Sequence, residues 1–151
     1  MPEPLEPMPA CERGCGNRSA RMHFSVPGQI SAISPAVDRV VALARQEWGA
    51  NSEKLGDMGL ALQEALANGV VHGCKQDPAK SVECWVACDP EQGVFIVVRD
   101  PGPGFNLSTL PDPKHPRHLK KEHGRGIYLI CELMDEVHFQ RGGAEINMRK
   151  A

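Results

Sequence analysis

The chain is 151 residues long, with 41% hydrophobic residues, 24% charged residues and a net charge of −2. That length suits one domain of about 100–200 residues, large enough to bury a core without disulfides or a structural metal. The near-neutral balance gives no electrostatic case for direct nucleic-acid binding or an anionic membrane, and no apolar run nears the roughly 18 residues that span a bilayer.

Residues 1–20 open with MPEPLEPMPA. They lack the basic start and apolar stretch of a secretory signal, so a cytoplasmic location is expected. Four prolines and little apolar periodicity predict a disordered extension over 1–20, ahead of a domain over 21–151. Cys11 and Cys15 lie in that extension at a spacing that could begin a metal site with His23. No second ligand pair follows, and they read as reduced, exposed thiols.

Arg21–Val26 alternates loosely and ends at Pro27-Gly28, predicting a first strand. A helix follows on Ile30, Ile33, Val37, Val40, Val41, Ala44 and Trp48, with Ser34-Pro35 as its cap and Gly49 as its stop. A second helix is expected from Ser52 to about Gly73. At about 100° per residue, Met58, Leu62, Leu66, Gly69 and Val70 make its apolar side, and Glu64, Asn68 and His72 a polar stripe opposite. Strands over 81–88 and 93–99 come next, joined by a turn at Asp89-Pro90-Glu91-Gln92. Cys84 and Cys88 share strand parity with Val82 and Val86 and read as small buried hydrophobes.

Asp100-Pro101-Gly102-Pro103-Gly104 must leave the strand as a loop, which runs from Phe105 to Glu122. A stretch of that length inside a compact domain is often an active-site lid. Gly124-Arg125-Gly126 then opens a third helix carrying Ile127, Ile130, Leu133 and Met134. Strands over 137–140 and 144–149 close the chain, joined at Gly142-Gly143. The order β-α-α-β-β-loop-α-β-β predicts an α/β (α+β) two-layer sandwich, a mixed, mostly antiparallel sheet with helices on one face.

Each chemical feature alone is modest. The Glu64/Asn68/His72 stripe offers a base and a side-chain oxygen for Mg²⁺, but polar residues usually mark a solvated face. A carboxylate at the end of a buried strand can accept from an exocyclic amine such as that of adenine, and Gly102 and Gly104 allow close backbone approach. Gly124 and Gly126 at a helix N-terminus offer free N–H groups to phosphate. No GxxxxGK[ST] loop occurs, and no GxGxxG follows the first strand.

Taken in order, these pieces resemble the Bergerat-fold (GHKL) ATPase module. Glu64-Ala-Leu-Ala-Asn68-Gly-Val-Val-His72 is similar to its N box, Asp100-Pro-Gly-Pro-Gly104-Phe to its first glycine box and Gly124-Arg-Gly126-Ile to its second. Within that superfamily the span from Arg21 to Lys150 most resembles the bacterial anti-sigma-factor serine/threonine kinases, including Leu110-Pro-Asp-Pro in the lid and Leu133-Met-Asp-Glu-Val after the third helix.

The resemblance implies ATP and Mg²⁺ as cofactors. Asn68 would hold Mg²⁺ among the phosphates, Asp100 would read the adenine amine, and Gly102 and Gly104 would shape that pocket. Gly124, Arg125 and Gly126 would face the phosphates, Glu64 would be the general base, and His72 would line the nucleotide site. Lys114, Arg117, Lys120 and Lys121 could balance phosphate charge from the lid. It further implies an anti-sigma factor that binds a sigma factor and phosphorylates a STAS-type anti-anti-sigma partner, working as a homodimer without nucleic-acid or membrane contact. The alternative is a non-catalytic ATP- or ADP-responsive module that sequesters a regulatory protein. A histidine-kinase catalytic domain is disfavoured, because no helical pair bearing an acceptor His fits before Arg21. Two departures stand out: Gly69, where the family usually has alanine, and His123, where a small residue is usual. Gly69 costs the helix about 1 kcal/mol unless it permits close packing.

Overall fold

The computed structural model describes residues 20–50, 52–104 and 122–151, with side chains in the last stretch from residue 126 onward. In chain order come β1 (Ala20–Pro27), a 3-10 turn (Ile30–Ala32), α1 (Ile33–Trp48), α2 (Glu53–Asn68), a π turn (Gly69–Gly73), β2 (Ser81–Asp89), β3 (Gly93–Arg99), α3 (Glu122–Leu133), β4 (Glu136–Gln140), a second 3-10 turn (Arg141–Gly143) and β5 (Glu145–Lys150). The five strands form one sheet in the order β1-β2-β3-β5-β4. Among the described residues every pairing is antiparallel, with none of the parallel pairs that a mixed sheet allows.

Period-2 alternation sorts each strand into two faces. Val82, Cys84, Val86 and Cys88 of β2, Val94, Ile96 and Val98 of β3, and Ile146 and Met148 of β5 join the core beneath the helices. The expected parity of Cys84 and Cys88 with the valines holds, and all four side chains are buried. The helices supply the other half. Met58, Leu62, Leu66 and Val70 are fully buried, each worth about 1.5–3 kcal/mol relative to exposure. At Gly69, the first residue of the π turn, a Cβ would stand 2.8 Å from Val82 Cγ2. The glycine that weakens the helix locally thus permits close packing on the sheet.

Helix ends follow local chemistry. Gly49 caps α1 with φ 86°, a conformation that a side chain disfavours. Ser52 caps α2, its Oγ accepting from the Lys54 N–H at 3.3 Å. The start of α1 differs from expectation. Ala32, not Ser34, is its N-cap, and Pro35 sits in the first turn, where its missing N–H has no intrahelical partner to lose. Ile30 falls in the preceding 3-10 turn and is exposed, while Ala36 takes a buried place on the core face.

The second helix also does not run unbroken to Gly73. After Asn68 the backbone widens into a π turn, with Cys74 N–H donating to Gly69 O at 2.8 Å and Gln76 N–H to Val70 O at 2.9 Å. One extra residue is thereby inserted at the end of the polar stripe, a device common at functional sites.

Candidate functional site

Three elements meet at one end of the sheet. The α2 helix and its π turn supply Asn68, His72 and Gly73, the end of β3 leads into Asp100–Gly104, and the β4–β5 connection supplies Gly143. Together with Ala65, Val98 and Ile146 they line a cavity of about 230 Å³. Its floor is apolar, and its polar groups are few and convergent, as in small-molecule sites generally.

Asp100 is the fixed point. Its backbone N–H donates to Ala144 O at 2.9 Å, which ties it to the β5 side of the sheet. Its Oδ1 accepts from the Gly102 N–H at 2.8 Å. That leaves the other carboxylate oxygen as the acceptor available to a ligand amine. Burial raises the Asp100 pKa above the ordinary carboxylate value, and the Gly102 hydrogen bond partly offsets the rise. The loop is moulded tightly around this group. A Cβ at Gly73 would collide with Asp100 Cγ and Oδ1, and one at Gly102 would stand 2.8 Å from Gly73 Cα. Gly104 has φ +79°, and a Cβ there would run into Gly142 O.

The second cluster lies at the start of α3. A Cβ on Gly126 would stand 3.1 Å from Glu64 Oε2 and 3.3 Å from Asn68 Nδ2. The spacing of four along α2 therefore brings Glu64 and Asn68 to the same neighbour, as the stripe predicted. Glu64 does not line the cavity, whereas Asn68 belongs to both places. His72 lines the cavity.

The second glycine box is shifted relative to the expected helix start. The α3 helix begins at Glu122, so Gly124 and Arg125 fall among its first four N–H groups and Gly126 falls beyond them. The side chains of His123 and Arg125, and the lid residues Lys114, Arg117, Lys120 and Lys121, lie outside the described residues, as do Cys11 and Cys15. Among the described residues no group of three His, Cys, Asp or Glu is placed to hold a metal.

Several cavity residues escaped the sequence reading. Gly73 is read there only as the end of a helix, and Gly142-Gly143 only as a hairpin, although the turn at 141–143 forms a wall beside Gly104. Its left-handed run, Arg141 at φ 53°, Gly142 at 65° and Gly143 at 98°, accounts for the glycine pair. Lys75 lines the cavity with φ 53°, followed by Gln76 at 57°. Two adjacent non-glycine residues in that region store strain on the order of 1–3 kcal/mol each. Their place just beyond Gly73-Cys74, at the end of a helical stretch, is the available signal.

Residues 26–150 match the family model described as histidine kinase-like ATPase domain. Among curated proteins, the chain is similar to the serine-protein kinase RsbW of Bacillus licheniformis, 32% identical over 138 residues, covering 80% of this chain and 84% of the relative. It is also similar to RsbW of Bacillus mycoides, 32% identical over 116 residues (68% and 71%), and to RsbW of Bacillus subtilis, 29% identical over 141 residues (89% and 87%). The chain thus belongs to the histidine kinase-like ATPase family and, within it, to the group of the RsbW serine-protein kinases.

Proposed function

We propose that the protein is an ATP-dependent serine/threonine-protein kinase that acts as an anti-sigma factor, phosphorylating a STAS-type anti-anti-sigma partner in a partner-switching pathway. The observation that carries this reading is the pair of sites along one helix. An adenine-sized cavity ends on Asp100, and a carboxylate–amide pair stands beside it at the start of α3. At about 230 Å³ the cavity is smaller than the roughly 300–1,000 Å³ of a drug-sized ligand site, so it takes the base while the phosphates run outward past Asn68.

Each residue then has a task. Asp100 accepts from the exocyclic amine of adenine, Gly73 and Gly102 hold it in place, and Asn68 marks the turn from base to phosphates. Glu64 takes the proton of the incoming serine hydroxyl as its oxygen forms a bond to the γ-phosphorus and the bond to the ADP oxygen breaks. The products are phosphoserine and ADP, and the proton leaves through the Glu64 carboxyl. The donor chemistry suits Mg²⁺: Asn68 would offer its Oδ1, a hard oxygen beside Gly126, and this ion needs only one or two protein ligands beside phosphates and water, which leaves the Glu64 carboxylate free as the base. When bound the ion supplies neutralisation of phosphate charge.

Partner choice follows from a site this small. Specificity then rests on docking a sigma factor and the anti-anti-sigma protein, and the phosphate added to the latter ends its complex. A homodimer acting in the cytoplasm completes the proposal. Among the described residues no helix is long and apolar enough to cross a membrane.

The test is phosphate transfer from labelled ATP to a panel of STAS proteins from the same genome, with wild type and Glu64→Ala. The expected result is transfer to one partner, lost in Glu64→Ala with ATP affinity within a few-fold of wild type. ATP binding without transfer to any partner would instead favour the sequestering module.

A further inference from the structure

Among the described residues, five glycines and three other residues have positive φ. The glycines take that conformation at no steric cost. The other three, Lys75, Gln76 and Arg141, all fall in the two segments that wall the cavity, the stretch after the π turn and the turn at Arg141–Gly143. Of these three, Lys75 lines the cavity itself, and among the described residues it is the only lysine or arginine to do so.

The Lys75 backbone is held from both sides. Upstream, the Cys74 N–H donates to Gly69 O at 2.8 Å and the Gln76 N–H to Val70 O at 2.9 Å. Downstream, the Asp77 N–H donates to Cys74 O at 3.0 Å, Asp77 Oδ1 accepts from the Ala79 N–H at 2.9 Å, and the Lys80 N–H donates to Asp77 O at 3.0 Å. Gly28 locks the far side of this loop. Its N–H donates to Lys80 O at 2.9 Å, and a Cβ there would run into Asp77 O. Left-handed backbone at a non-glycine residue persists where its surroundings over-determine it, as they do here. A glycine at position 75 would take the same φ without strain, so the fold alone asks for no side chain there.

The side chain itself is exposed, and among the described residues no hydrogen bond or ion pair engages its ammonium. Lysine at an apolar wall lays its four-carbon stem along the wall and keeps its strongly hydrated ammonium in water. At about 230 Å³ the cavity takes the base alone, so the ribose and phosphates of a bound nucleotide stand outside, at the mouth. Inside, the Asp100 carboxylate repels the phosphate anion, and a cation at the mouth offsets that repulsion. We infer that Lys75 is a nucleotide-binding residue whose ammonium meets the phosphates as they leave the cavity, held at the mouth by its left-handed backbone. The inference rests on the ATP reading above and deepens it: the wall of the base pocket supplies a charge for the phosphates.

Calorimetric titration of the full chain with Mg²⁺ and ATP, at about 0.05 M and about 0.5 M salt, tests it, because exposed charge pairs are screened over that range. Lys75→Met keeps the stem and removes the charge. It should bind ATP about three- to tenfold more weakly at low salt, with the difference shrinking below about twofold at high salt. Lys75→Arg keeps the charge and should stay within about twofold of wild type. Lys75→Gly should lose affinity as Lys75→Met does, while its Tm holds or rises by about 2–4 °C with the strain relieved. Lys75→Met binding like wild type at low salt overturns the inference. So does an equal loss at both salts, which would put Lys75 on an uncharged part of the nucleotide. A loss in Lys75→Gly matched by a falling Tm also overturns it, by making the residue a structural wall only. Wild-type protein that binds no ATP at either salt defeats the nucleotide reading itself, and this inference with it.

Discussion

The carboxylate of Asp100 rests against the α-carbon of Gly73 with no room for a methyl group between them. Gly73→Ala is therefore expected to displace the carboxylate while leaving the sheet folded. Losing a hydrogen bond to a charged group costs about 1.5–3 kcal/mol, so ATP affinity should fall by about 10- to 100-fold. Calorimetric titration, with circular dichroism as the folding control, checks it.

Asp100→Asn should change which base is preferred. The Gly102 N–H already claims one side-chain oxygen, so the amide would keep its oxygen there and turn its NH₂ toward the ligand. A donor then meets the donor of adenine, and ATP affinity should drop by about tenfold or more, some 1.4 kcal/mol per decade. The same NH₂ suits the carbonyl of guanine, so the ATP-to-GTP affinity ratio should fall. An unchanged ratio would remove Asp100 from base recognition.

The same substitution should not harm stability. Because burial raises the Asp100 pKa, the folded state holds more protons than the unfolded one between the ordinary and the raised value. Stability accordingly declines as pH climbs through that window, and at neutral pH the ionised group carries the whole penalty. Asp100→Asn should match or exceed the wild-type Tm at pH 7, and the gain should shrink on acidification below the ordinary carboxylate value. Thermal melts across pH measure this.

Gly126→Ala probes the second cluster. The new methyl would stand 3.1 Å from Glu64 Oε2 and 3.3 Å from Asn68 Nδ2, so these side chains must yield by a few tenths of an ångström. Misplacing a general base acts on the chemical step, whose contribution is about 10²–10⁴-fold. Turnover should fall by more than ATP affinity does. Equal losses in kcat and affinity would place the effect in binding instead.

Thiol reactivity should follow burial. The Cys84 thiol is pushed up to about 12 by desolvation, and Cys74 is raised by burial and by the Asp100 charge. Only a thiolate is nucleophilic. In native protein at pH 8, alkylation read by mass spectrometry should mark the half-buried Cys131 well before Cys74, Cys84 or Cys88. Modification of Cys84 at a comparable rate would mean the sheet opens there.

Much of this was legible from periodicity. The four-residue spacing of Glu64, Asn68 and His72 is enough to predict a shared face, because a helix advances close to a full turn in that interval. The buried parity of Cys84 and Val86 follows from the two-residue period of a strand. What stayed hidden depends on long-range geometry. The π turn adds one residue without any local signature, so Gly73 could not be seen to face Asp100. The small apolar cluster of Trp85, Phe95 and Val97 went unnoticed because these residues become neighbours only once β2 and β3 are paired. Strand order was equally out of reach: β5 inserts between β3 and β4, and nothing in a hairpin signal says which strand lies on its far side.

The two glycine contacts at Gly104 and Gly126 have a consequence for chain statistics. Gly104 is seated on the Gly142 backbone and Gly126 on Glu64 and Asn68, so both ends of the intervening stretch are pinned when the domain folds. Because both anchors belong to the folded domain, the cost of bringing residues 104 and 126 to their places is met on folding and not again when ATP binds.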